Sequence, residues 1–261
     1  MLEQKNAEDQ KGPGKPNDAR PAAATTRRGF LSGSAKLLGG GALAMALGGG
    51  AALAQEETTR VGATSGGDGV SDVDILNYAL TLERLEYEFY VRVLRRFSER
   101  QFKSADIFDG LGGYLRNGVY ENFVRIRNHE KTHVETLVSV IKSLGGRPVP
   151  ECEYDFGITN VASAVRTAKV LENTGVSAYD GAIAYIDRRA LQTAGATIAT
   201  VEARHASYLN LINKDVPFPG AFDEPRAPRE VCELVHEAFI TKCPFDLEKF
   251  CESLPNKVIA P

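Results

Sequence analysis

Four stretches of this 261-residue chain carry apolar side chains at alternating steps of three and four. That spacing admits little except helices packed along their lengths. The first seam runs Leu76, Ala79, Glu83, Glu86, Tyr90, Val93 and Phe97. The second is Val119, Phe123, Ile126, Glu130, His133, Leu137, Val140 and Leu144, stopped by Gly145, Gly146 and Pro148. The third is Val165, Ala168, Glu172, Gly175, Tyr179, Ala182 and Ile186. The fourth is Leu191, Gly195, Ile198, Glu202, His205, Leu209, Ile212 and Val216. Each predicts a helix of about 25 residues, about 38 Å long. No comparable alternation of period two appears, so the fold class is all-α. Carboxylates interrupt every seam, joined by an imidazole in the second and fourth, and such groups are costly to bury unless they are paired or hold a metal.

The seams also repeat. Leu82-Glu83 with Tyr90 recurs as Leu171-Glu172 with Tyr179. Ile126, Glu130, His133 and Leu137 recur as Ile198, Glu202, His205 and Leu209. The repeat singles out Glu83 over Glu86, because Glu83 aligns with Glu172 while Glu86 aligns with Gly175. The first connection, residues 99 to 117, is the longer of the two short ones. Residues 145 to 159 separate seams two and three and reach about 50 Å when extended, enough to cross the bundle's full length. The architecture expected is a four-helix bundle with one long crossover over residues 72 to 217.

One Glu from each of the first and third helices, and Glu-x-x-His from each of the second and fourth, resembles the di-metal carboxylate site of the ferritin-like superfamily. Within it, residues 82 to 90 (Leu-Glu-Arg-Leu-Glu-Tyr-Glu-Phe-Tyr) and 218 to 223 (Phe-Pro-Gly-Ala-Phe-Asp) resemble the exported desiccation-related ferritin-like domain family. The resemblance covers residues 72 to about 240. It implies Glu83 and Glu172 as terminal ligands, Glu130 and Glu202 as bridges, and His133 and His205 as one ligand for each of two ions. Four carboxylates match the charge of two divalent cations. Carboxylate and imidazole donors suit Fe or Mn and do not separate them. Tyr90 and Tyr179, each two turns after its Glu, are placed to hydrogen-bond the ligands. Glu86 is either a seventh ligand or a carboxylate accommodated in the space over Gly175. His129, beside Glu130 but off the seam, is a surface residue or one that supports the ligands from behind.

The spacing alone decides little. Glu233 and His236 repeat it in the tail without a partner Leu-Glu or a place in the repeat, and read as an ordinary helix pair. For the seam pairs the plain alternative is a buried ion-pair network. Four carboxylates against two imidazoles would leave that network negatively charged, with no Lys or Arg in the seams to offset it.

Residues 1 to 26 are polar and lack periodicity, as disordered segments do. Thr26-Arg27-Arg28-Gly29-Phe30-Leu31 then resembles the twin-arginine export motif, followed by a Gly/Ala/Leu segment ending in Ala52-Leu53-Ala54, a small-x-small cleavage site. The expectation is a signal peptide over residues 1 to 54, a linker over 55 to 71, and a periplasmic or otherwise extracytoplasmic destination. The only membrane contact expected is through that signal. An uncleaved anchor is the alternative, although clustered glycines make a poor spanning helix. The twin-arginine route carries folded proteins, which allows metal to be loaded before export. With 31 Lys+Arg against 34 Asp+Glu and no basic patch interleaved with aromatics, nucleic acid is excluded as a partner.

Residues 218 to 261 form an extension expected to pack on the bundle, with a short helix opening at Pro228. Cys152, Cys232, Cys243 and Cys251 all fall outside the seams. In an exported chain they are disulfide candidates, with three possible pairings. At least one bridge is expected to staple the tail.

The function these features imply is an exported protein with a two-ion Fe or Mn site that handles peroxide or oxygen in oxidative or desiccation stress, by catalase-like or ferroxidase-like chemistry. The reading set against it is a stress-related protective bundle in which metal is structural or absent. A homo-oligomer is compatible with either.

Overall fold

The computed structural model describes residues 69–259; the expected signal peptide, residues 1 to 54, and residues 55 to 68 of the expected linker lie outside them. Four long helices carry the four seams: α1 (Asp72–Arg96), α3 (Gly113–Ser143), α4 (Val161–Ala182) and α5 (Arg189–Ile212). Helix α1 pairs with α3 and α4 with α5, and the two hairpins meet through α1 and α4. The fold is the all-α bundle expected.

Local chemistry sets the helix ends. Ser71 caps α1 in a reciprocal box, its backbone N–H donating to the Asp74 carboxylate at 3.0 Å. Asn160 caps α4, accepting from the Ser163 N–H at 2.8 Å. Helix α3 stops where Gly145 turns left-handed at φ 77°, with the Gly146 N–H reaching back to the Ile141 carbonyl at 2.9 Å.

Three details differ from the sequence reading. The first connection contains a five-residue helix, α2 (Glu99–Lys103), and a 3-10 turn at Asp106–Phe108; α3 then begins at Gly113 rather than near Val119. Helix α4 ends at Ala182, and Ile186 is buried beyond a 3-10 turn. Helix α5 ends at Ile212, so Val216 is 64% exposed instead of completing the fourth seam. Just past that end Lys214 adopts φ 65°, which turns the chain off the helical path before Val216 is reached.

The crossover lies along α1. Asn77 brackets it near one end, donating to the Arg147 carbonyl at 3.1 Å and accepting from the Val149 N–H at 2.8 Å. Further along, Arg92 donates to the Tyr154 carbonyl at 2.7 Å, and Phe156 packs edge-on against Phe89. The crossover therefore spans the bundle as its length allowed.

The tail contributes α6 (Pro228–Phe239) and α7 (Leu247–Glu252). A short strand β1 (Glu153–Tyr154) in the crossover pairs antiparallel with β2 (Ile240–Lys242) in the tail. Disulfides join Cys152 to Cys243 and Cys232 to Cys251. The tail also returns across α4, where the Arg226 N–H donates to the Ser177 carbonyl at 3.0 Å. At Gly181 a Cβ would sit 1.8 Å from the Arg226 carbonyl oxygen, so only glycine lets the two backbones approach this closely. Among the described residues no helix is long and apolar enough to cross a membrane.

Candidate metal centre

The polar interruptions of the four seams meet at mid-bundle. Glu83 comes from α1, Glu130 and His133 from α3, Glu172 from α4, and Glu202 and His205 from α5. All four of these glutamates have no exposed surface, and the two histidines are 5% and 6% exposed. On each helix the polar residue occupies the stripe that neighbouring turns fill with Leu, Ile or Ala, so burying the stripe also buries the charge.

The donors form two overlapping groups. One gathers Glu83, Glu130, His133 and Glu202; the other gathers Glu130, Glu172, Glu202 and His205, with ligand atoms in each within 4.8 Å of one another. Glu130 and Glu202 belong to both. His133 Nδ1 lies 3.1 Å from Glu83 Oε2, 3.1 Å from Glu130 Oε2 and 3.3 Å from Glu202 Oε1. His205 Nδ1 lies 3.0 Å from Glu172 Oε2 and 3.1 Å from Glu130 Oε1.

The two tyrosines bond across the interface between hairpins. Tyr90 of α1 donates to Glu172 Oε1 of α4, and Tyr179 of α4 donates to Glu83 Oε1 of α1, each at 2.5 Å. In each glutamate one oxygen is thus held by a phenol while the other faces an imidazole. Burial raises both phenol pKa values, and the facing carboxylate raises them further.

Crowded carboxylates shift their own titration. Burial pushes Glu130 up to about 7, and the charge of Glu172 adds to the effect. Burial, Glu130 and Glu172 raise Glu202 well above the usual range. Burial also pushes Glu83 up, but the charge and hydrogen bond of His133 outweigh it and hold Glu83 low. Burial disfavours the imidazolium of His133 and His205, yet the carboxylates around them raise both. Among the described residues these carboxylates make their ion pairs with imidazoles rather than with Lys or Arg.

Glu86 is buried beside this cluster but lies in neither donor group. Its carboxylate sits over Gly175, where a Cβ would come within 3.2 Å of Glu86 Oε1 and 3.3 Å of Glu202 Oε2. Burial and the charges of Glu202 and Glu172 raise it well above an ordinary carboxyl, which favours its neutral form. His129 has a definite place: its Nδ1 lies 2.9 Å from His205 Nε2 and the two rings stack. Burial and the neighbouring His205 lower His129, keeping it neutral. It then accepts from His205 Nε2–H and leaves Nδ1 as the nitrogen that His205 turns to the carboxylates, protonated in the metal-free cluster and a lone-pair donor once that proton is lost. The repeat could not reveal this contact, because the position matching His129 is Val201. The tail pair stays apart: Glu233 is exposed on α6 and belongs to neither group.

A four-helix bundle with a buried carboxylate and histidine cluster at its centre defines the ferritin-like class, and the chain belongs to the ferritin-like domain family, whose model matches residues 71–214. It is also similar to Protein rds1 of Schizosaccharomyces pombe, with 26% identity over 179 residues. That match covers 68% of this chain and 41% of the yeast protein, so the chain spans less than half the length of this curated relative.

Proposed function

We propose that the chain is an exported two-ion Fe or Mn protein that reacts with peroxide or oxygen under oxidative or desiccation stress. The observation that carries the reading is Glu202. Both of its carboxylate oxygens, and Glu130 Oε1, are buried without a well-directed hydrogen bond, although His133 Nδ1 lies 3.3 Å from Glu202 Oε1 and His205 Nδ1 3.1 Å from Glu130 Oε1. An orphaned buried polar group costs about 1–3 kcal/mol, and more if charged. A single proton on His133 Nδ1 cannot satisfy the three carboxylate oxygens around it. Donors that converge without satisfying one another fit a cation, and the oxygen and nitrogen donor set suits Fe or Mn.

In this reading Glu83 and Glu172 are terminal ligands, Glu130 and Glu202 are shared, and His133 and His205 each serve one ion. Two such ions, each able to change valence by one, would supply the two-electron capacity that peroxide chemistry needs. The chain's own residues do the rest. Tyr90 and Tyr179 fix which oxygen of each terminal glutamate faces inward, and His129 sets the tautomer of His205. Two disulfides fit an oxidising compartment, in keeping with the leader pattern.

The second reading is a protective bundle whose metal is only structural. Complete burial of all four glutamates favours it, since a reactive site needs a way in. Elemental analysis of protein exported by its own leader, followed by peroxide- and oxygen-consumption assays, separates the two. About two equivalents of Fe or Mn are expected, with marked loss in Glu130→Ala. Metal content near zero in the native protein and unchanged in the variant would refute the site. Full metal without either reactivity would leave the structural reading standing.

A further inference from the structure

The two halves of the bundle repeat each other, yet they do not enclose the cluster equally. On one side Tyr90 has no exposed surface, and its ring is closed in by Phe89 at 5.1 Å and Phe123 at 5.4 Å between centroids. Phe102 stacks edge-on behind Phe123. The repeat maps Tyr90 onto Tyr179, and it maps Phe123 onto Gly195. Where the first half has a phenyl ring, the second has no side chain.

A cavity of about 50 Å³ lies there. Tyr179 and Gly195 both line it, together with apolar residues from all four long helices. Ala79, Leu137 and Ile198 are among them, each four positions from Glu83, His133 and Glu202 respectively, which is about one helical turn. The cavity thus sits a turn from the cluster on three helices, with Tyr179 standing between them. Thr136, Ile183, Ala194 and Gly195 form its partly exposed side. A Cβ built on Gly195 meets only Ile183 Cδ1, at 4.0 Å.

We infer that this cavity is the holding site through which an apolar diatomic molecule, dioxygen, reaches the cluster past Tyr179. This rests on the two-ion reading above and narrows its substrate from peroxide or oxygen to dioxygen. The volume is that of one small molecule. Water and hydrogen peroxide need several polar partners to enter such a space, and the phenol of Tyr179 is already committed to Glu83. The remaining walls are apolar almost throughout, so an apolar guest is favoured over a polar one. The asymmetry also bears on the burial of the glutamates, since the Tyr179 side holds a cavity where the Tyr90 side is filled by Phe123.

Xenon, an apolar probe of similar size, tests the site without any reaction. Crystals of the protein, grown with and without added metal, are pressurised with xenon alongside Gly195→Val. Xenon is expected between Tyr179 and Gly195 in the native protein and lost in the variant. Oxygen consumption by the Fe(II)-loaded variant is expected to fall severalfold, with metal content and peroxide consumption unchanged. No xenon at this place in fully metallated protein would overturn the cavity while leaving the metal reading intact. Xenon in a protein that takes up no metal would overturn the metal reading, and with it dioxygen as the guest. An equal fall in peroxide and oxygen consumption would overturn the distinction between them. Gly195→Ala, which adds a single methyl, guards against misfolding: an intermediate loss of xenon is expected, and full occupancy would count against the assignment.

Discussion

Glu83 and Glu86 show how much of the site a sequence can disclose. Both lie in the same seam and both are buried, and only the repeat separates them, by setting Glu83 against Glu172 and Glu86 against Gly175. The structure places Glu83 in a donor group and Glu86 over Gly175. His129 was legible only as a neighbour of Glu130, because its partner is 76 positions away and breaks the repeat. The tyrosines give a direct test. Tyr179→Phe should weaken metal binding by about 10–100-fold, as removal of a group orienting a ligand does. Tyr90→Phe should do the same through Glu172. Competition against a chelator of known affinity measures both, and unchanged affinity in both variants would remove the phenols from the site. Titration gives a second test. With Glu130 raised to about 7, and with Glu202, His133 and His205 also raised, the metal-free cluster carries protons at neutral pH. A cation must displace them, so affinity should fall as pH falls through neutrality and proton release should shrink as pH rises. Calorimetry in buffers of differing ionisation enthalpy reads the release directly; heats independent of buffer would contradict it.

At the scale of elements, the long helices were legible because seven or eight periodic positions outvote any local exception. Short elements were not. Helix α2 has five residues, too few to show a period, and strand β1 has two. The end of α5 is not legible in the spacing, because Val216 keeps the apolar period although Lys214 has already left the helix. Glycines on the long helices have opposite consequences that spacing cannot distinguish. Gly195 has open space at its Cβ, so Gly195→Ala should stabilise by about 0.5–1 kcal/mol through helix propensity. Thermal denaturation should show a rise of about 2–4 °C per kcal/mol in a domain this size. Gly181 lies against the Arg226 backbone, so Gly181→Ala must lift the tail from α4 or bend one of them. Its denaturation midpoint should drop, and residues 217 to 228 should become sensitive to limited proteolysis. An unchanged midpoint would mean the tail does not rest on α4 in solution.

For the molecule as a whole, the bundle topology followed from the length of one connection, whereas the pairing of cysteines did not follow from anything in the sequence. Three pairings were open, and the two-stranded ribbon explains the one that formed. Glu153 lies opposite Lys242, which places the adjacent Cys152 and Cys243 side by side. The bridge closes a segment of 91 residues, so replacing both cysteines by serine should cost about 4–5 kcal/mol on the chain-entropy account. The loss of Cys232–Cys251, spanning 19 residues, should cost less, about 3 kcal/mol. Chemical denaturation of the two double variants ranks them, and the reverse order would show that the tail's own bridge is the one that secures the fold.

The reciprocal bonds of Tyr90 to Glu172 and Tyr179 to Glu83 carry a consequence for the order of assembly. Each donor group takes three residues from one hairpin and a single carboxylate from the other. A hairpin formed alone therefore holds an incomplete set of donors, and its terminal glutamate lacks the phenol that orients it. On the two-ion reading, selective metal capture would have to wait until the hairpins have docked. Uptake would then act as a proofreading step: a chain able to hold both ions would, by that fact, have brought its two halves into register.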